Sequence, residues 1–159
     1  MTPIILPVLE YLQKHVKGTL APNETTFMHY PTAISQTLKM TVTDIELGKA
    51  TMSIEVDPLV HGNQQGTIHG GLLAELADAA IGTAHSTLMT EGESFTSIEL
   101  KMNYFRPSWQ GLLKAVAHPI QSGRTITHYQ CDIFREDGKV IAMASSIVMT
   151  LRDDKASGR

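Results

Sequence analysis

Cysteine occurs once in the 159 residues, so the chain can form no internal disulfide and carries no CxxC zinc or redox motif. Charge is sparse too: Asp, Glu, Lys and Arg make up 18% of the residues, below the ~25% usual for soluble proteins. Basic residues number 13 and acidic ones 16, a formal net charge of −3. Without a basic field to track a polyanion, nucleic acid is not an expected partner. No run approaches the ~18 uncharged apolar residues of a membrane span, so no membrane association is expected. The amino terminus, MTPIILPVLEYLQKHV, has no basic segment and is interrupted by Pro7 and Glu10. It makes a poor secretory signal, and a cytoplasmic protein is the expectation. No repeat, low-complexity tract or linker divides the chain. Its length and 42% apolar content suit one domain whose core needs neither disulfide nor metal.

Residues 3–17 space Ile4, Ile5, Val8, Leu9, Leu12 and Val16 as one face of an amphipathic helix ending at Gly18. Residues 21–34, with Pro22, Asn23 and Pro31, read as loop. Alternation over 36–47 and 49–57 predicts two strands joined by a hairpin at Leu47-Gly48-Lys49, followed by an irregular loop over 58–68. The segment 70–89, GGLLAELADAAIGTAHSTLM, is apolar nearly all round and predicts a helix buried on most sides. Four more alternating runs follow, at 95–106, 112–121, 125–136 and 139–151. Two strands, one buried helix and an antiparallel meander make an α+β fold, with a curved sheet wrapped around the helix. The expected organisation is a helix and loop over 1–34, the main domain over 35–152 and a tail over 153–159.

The densest polar segment, His61 to Gly71, runs directly into the buried helix. Its polar groups converge on a helix amino terminus, where free N–H groups and the dipole favour negative charge. Gly70 and Gly71 allow close approach to that backbone. Asp78 lies nine residues past His69 on a helix otherwise rich in Leu and Ala, and an ionised carboxylate there is costly unless it meets water, a partner or a ligand. Glu75 is the less favoured acid, expected to face solvent, a cap or a subunit contact. In the strand after the helix, Ser97 shares the face of Glu99, Lys101 and Asn103, with Ile98, Leu100 and Met102 opposite. His61, His85, His118 and His128 lack metal-ligand spacing, so no metal and no cofactor is expected. Cys131, on a strand face with Tyr129 and Ile133, reads as a small buried apolar residue.

The run N-x-x-G-x-x-H-G-G-x-x-x-x-L-x-D, from Asn63 to Asp78, resembles the hot-dog-fold acyl-CoA thioesterases. Among these it is similar to the phenylacetate-degradation type, related to 4-hydroxybenzoyl-CoA thioesterases. The resemblance extends over roughly 36–151, through Ile98–Pro107, Gly111 and the Ser122-Gly123-Arg124-Thr125 turn. It implies a hot-dog fold with an extra amino-terminal helix, and hydrolysis of an acyl-CoA to acid and CoA. It implies Asp78 as general base or nucleophile, and Gly70 or Gly71 as an N–H donor to the thioester carbonyl. His69 would orient that carbonyl, Asn63 the acid or water, and Ser97 the water; Arg124 and Thr125 would lie near the CoA phosphates. It further implies a homodimer or a dimer of dimers (a homotetramer), with Asn63 and His69 facing Asp78 and Ser97 of a second subunit. Two other readings remain. A hot-dog hydratase or dehydratase would show a His-Phe-Pro or Asp/His pattern not found here, and a non-catalytic acyl-CoA-binding module would be expected to lack the acid at 78.

Overall fold

The computed structural model describes residues 2–157; positions 158 and 159, the end of the expected tail, lie outside them. The chain opens with a short strand, β1 (Ile4–Ile5), and then a helix, α1 (Val8–Lys17). The helix therefore starts five residues later than its periodicity suggests. Pro7 is the cause, because the residue before a proline is pushed out of the helical region. β1 pairs in parallel with β2 (Glu24–Thr25), inside the stretch read as loop. α1 sends Val8, Tyr11 and Leu12 into the core.

A second helix, α2 (Ala33–Leu38), takes the first part of the strand expected at 36–47. The Thr32 side chain accepts the Ser35 N–H, and Lys39 closes the helix in the left-handed region at φ 59°. A few alternating residues do not outweigh a capped turn. The strand itself, β3 (Thr41–Glu46), follows and turns back as β4 (Lys49–Val56). The loop expected over 58–68 holds one helical turn, α3 (Pro58–His61), capped by Asp57 and opened by Pro58. The long helix, α4 (Gly70–Ser86), ends three residues short of expectation. Four strands complete the chain, β5 (Ser94–Tyr104), β6 (Gly111–Ser122), β7 (Ile126–Arg135) and β8 (Val140–Leu151), with a short 3-10 turn at Asp153–Ala156.

The main sheet is antiparallel, ordered β3-β4-β6-β7-β8-β5, and α4 lies across one face. Small residues make room for it. Ala77, Ala80 and Ala84 of α4 are fully buried, as are Ala115, Ala117, Ala142 and Ala144 of the strands beneath. Backbones can then approach closely at interior packing density, and Leu73, Leu76 and Ile81 fill the spaces left. This is the hot-dog arrangement expected from the resemblance. Among the described residues, no helix is long and apolar enough to cross a membrane.

His85, near the end of α4, is almost wholly buried, with Nδ1 3.0 Å from the Tyr129 hydroxyl and Nε2 2.9 Å from Thr150 Oγ1. Both nitrogens are thus occupied by hydroxyls of the sheet, a core role rather than metal ligation. Burial depresses its pKa to about 4 from 6.5. The unfolded chain therefore takes up a proton on His85 below pH ~6.5 that the folded chain resists until about pH 4. Stability falls across that window as pH drops, by about 2–3 kcal/mol at pH 4.5. The raised pKa values of Glu75 and Asp78 act in the opposite sense, since their folded forms hold protons more tightly. Urea unfolding of wild type and His85→Gln at pH 7 and pH 4.5 isolates the histidine: the acid-dependent loss should be smaller in the variant by about that amount.

Candidate active site

The loop before α4 is built on Asn63. Its Oδ1 accepts the N–H groups of Gln65 (2.9 Å) and Thr67 (3.2 Å), and its Nδ2 donates to Thr67 Oγ1 at 2.9 Å. An asparagine can fold a tight loop this way because one side chain both accepts and donates. A backbone bond from His69 N–H to the His61 carbonyl then closes the loop at 2.9 Å.

His69 caps α4, its Nδ1 accepting the Gly71 N–H at 3.0 Å. An accepting Nδ1 assigns the ring proton of neutral His69 to Nε2, and the side chain is exposed, so that N–H is available to an incoming oxygen. Of the two glycine N–H groups at the helix start, Gly71's is therefore engaged, and only Gly70's is without an acceptor among the described residues.

Tyr104, at the end of β5, is the site residue that sequence reasoning assigned no role. Its hydroxyl donates to the Gly70 carbonyl at 2.8 Å. Its ring covers Gly70 so closely that a Cβ there would lie 3.0–3.2 Å from three ring and hydroxyl atoms. A side chain at 70 would therefore have to displace the exposed Tyr104 ring by a few tenths of an ångström. The available signal was a large aromatic at the end of the alternating run that follows the helix; in the fold it is 54% exposed. Asn63, Gly70, Leu73, Tyr104 and Phe105 line a cavity of about 330 Å³.

Asp78 lies elsewhere on α4. Eight residues separate it from Gly70, about 12 Å along the axis. It is half-buried, and Ser97 Oγ donates to its Oδ1 at a long 3.5 Å. Ser97 reaches it through a β-bulge. β5 pairs with β8 as Ser97↔Val148 and then Glu99↔Ile147, leaving Ile98 without a partner. The extra residue reverses the alternation, so Ser97 shares the helix-facing side with Leu100 and Met102, not the side of Glu99 and Lys101. That corrects the face read from strict period-two spacing, by the local re-aiming of side chains that bulges produce.

Desolvation raises the Asp78 pKa, and the Ser97 hydroxyl offsets part of the rise. Glu75, also half-buried, is raised by desolvation and by the Asp78 charge. A carboxylate held above its ordinary pKa is a better proton acceptor at neutral pH.

Arg124 and Thr125 lie on the exposed hairpin between β6 and β7. A Cβ at Gly123 would sit 2.6 Å from the Ile126 carbonyl, so this turn requires glycine. With Arg152, Asp153, Asp154 and Lys155 they line a separate cavity of about 390 Å³ that carries charge of both signs. Cys131 is fully buried, and burial pushes its thiol pKa up, as suits a core residue.

The thioesterase superfamily model matches residues 65–142, from the loop through β8's first residues. A Deinococcus radiodurans protein provisionally named an esterase is 35% identical over 120 residues, covering 72% of this chain and 77% of that protein. Human acyl-coenzyme A thioesterase 13 is 30% identical over 106 residues, covering 65% and 74%. Among solved structures, the phenylacetic acid degradation protein of Thermus thermophilus, determined as a single-residue variant, superposes with a TM-score of 0.69. It is 28% identical, with 74% of this chain and 98% of that one covered. The chain belongs to the hot-dog thioesterase superfamily.

Proposed function

We propose that the protein hydrolyses acyl-CoA thioesters to free acid and CoA, with Asp78 as general base or nucleophile. The observation that carries this reading is Asp78 itself, a half-buried carboxylate of raised pKa on a helix whose amino terminus offers the free Gly70 N–H. The human relative's name as an acyl-CoA thioesterase supports the substrate class. A thioester suits these parts: its carbonyl is electrophilic and its thiolate leaves readily, so one carboxylate with an oxyanion donor suffices.

Gly70 N–H and the Nε2–H of His69 then hold the carbonyl oxygen as it gains charge. Tyr104, bonded to the Gly70 carbonyl, holds that turn of helix in place. Ser97 orients water or the acid, and Asn63 keeps the loop in its working shape. Arg152 is held by Glu93 at 2.7 Å and Asp153 and Asp154 line the same cavity, so Arg124, with Thr125 beside it as a hydroxyl donor, is the cation offered to a CoA phosphate.

A reacting carbonyl must lie about 3 Å from its oxyanion donor and from its nucleophile, with a general base at most one water (~3 Å) further away, which groups ~12 Å apart along one helix do not achieve. The site is therefore completed by a second copy, Gly70 and His69 of one subunit meeting Asp78 of the other. β5 supports this assembly as an 11-residue edge strand with Ile98 53% exposed, the kind of edge that pairs with another chain. Light scattering at micromolar concentration should give a dimer or tetramer; a stable monomer would remove the shared site.

The function is tested by incubating the protein with aryl, short-chain and long-chain acyl-CoAs and a thiol reagent. CoA release is the expected result. A change in the acyl double bond without release would instead indicate a hydratase, and binding without reaction a non-catalytic module.

A further inference from the structure

A third cavity lies under the amino-terminal segment, on the far side of the fold from Asp78. It measures about 270 Å³ and sits between α1, the Tyr30–Thr32 segment, α2 and strands β3 and β4. Thr83 is its only contribution from α4. Five residues separate Thr83 from Asp78, so the two point ~140° apart around the helix. Four strand spacings separate β4 from β5, the strand of Ser97, or about 19 Å along the sheet. Within one chain this space is not part of the carboxylate site.

Its chemistry is divided between floor and rim. Leu12, Met40 and Met52 are buried at the floor, with Val42 half-buried on the wall. The polar groups there already bond one another: Thr83 Oγ1 donates to Met52 Sδ at 3.6 Å, and Thr32 Oγ1 donates to Ser35 Oγ at 2.7 Å. The floor thus asks nothing polar of an occupant. The exposed rim carries Lys39 and His15, and no Asp or Glu lines the cavity. Lys39 forms no ion pair among the described residues. A dry apolar cavity of ~150 Å³ holds benzene, so this one has room for a chain of roughly six to ten carbons by proportion.

We infer that this cavity binds a medium-chain carboxylate, its chain on Leu12, Met40, Val42 and Met52 and its head group at Lys39. An uncharged chain would leave the unpaired lysine unused, and an ammonium head would meet like charge at the rim. The inference is independent of the proposed hydrolysis and would hold if the protein released no CoA. A free fatty acid taken from solution and one produced by a thioesterase are the same ligand for this cavity.

The test uses the full chain with isotopically labelled methionine methyl groups, observed by NMR while sodium octanoate is added. Saturable shifts are expected at Met40 and Met52 and not at Met102 or Met143, which lie on β5 and β8. Octylammonium should bind more weakly than octanoate. Lys39→Glu should weaken octanoate roughly two- to fivefold, the range of an exposed ion pair, and reverse the preference between the two probes. Val42→Trp, which fills the cavity wall, should abolish the shifts. If that variant does not fold, Lys39→Glu, an exposed change, still decides the head-group assignment. The inference is overturned if octanoate leaves Met40 and Met52 unmoved up to its solubility limit. Equal binding of both probes, indifferent to residue 39, or first shifts at Met102 would also overturn it.

Discussion

Asp78→Asn lowers CoA release at least ~10²-fold, the low end for a lost general base, while Glu75→Gln stays within a few-fold of wild type. The two acids share one helix and differ by ~60° in direction, and both are half-buried with raised pKa values. Ser97 separates them, because its hydroxyl is aimed at Asp78 by the bulge at Ile98. Asparagine keeps the volume of Asp78 and can still accept that hydroxyl, but it neither takes a proton nor attacks a carbonyl. Folding should survive, since the change removes a partly desolvated charge and leaves no opposite charge unpaired. The raised pKa carries a second consequence for wild type. The base must be ionised to act, so the acid limb of kcat/KM against pH is displaced above the ordinary carboxylate range. An active Asp78→Asn with a dead Glu75→Gln would reverse the assignment. Activity in both variants would exclude a carboxylate mechanism.

Gly70→Pro lowers turnover by about 10²–10³, the usual cost of one oxyanion donor. Proline suits the first position of a helix, so the substitution deletes the free N–H without breaking α4. It also adds a Cβ against the Tyr104 ring, at 3.0–3.2 Å. Gly70→Ala controls for this, since it meets the same ring and keeps the N–H. The measured quantity is the ratio of turnover between the two variants, with circular dichroism to verify that α4 persists. An alanine variant as impaired as the proline one would assign the loss to displaced Tyr104 rather than to the missing donor. Gly71→Pro, in contrast, removes the cap bond to His69 Nδ1, so its effect is read first in stability.

The sequence carried the parts of this protein that depend on local pattern. The apolar run 70–89, most of which forms α4 (Gly70–Ser86), the four alternating segments after it and the glycine turns between them were legible because burial and period act within a few residues of each position. So was the polar loop entering α4, whose spacing from His69 to Asp78 lies within one element. Where expectation failed, a single residue outweighed the pattern: Pro7 delayed α1, and the Thr32 cap made a helix of residues read as strand.

What only the tertiary structure decided was which groups meet. Period-two spacing put Ser97 with Glu99, and the register of β5 against β8, a pairing of residues about 50 positions apart (Ser97↔Val148), turned it toward Asp78 instead. Tyr104 gained its role only because β5 ends beside Gly70, 34 residues away in sequence. The ~12 Å between Gly70 and Asp78 follows from helix geometry alone, but that Ser97 is the side chain bonded to Asp78 among the described residues required the packed fold. Local pattern specifies elements because it reports each residue's own burial. Sites join residues distant in the chain, and their contacts are set by the register and packing of whole elements.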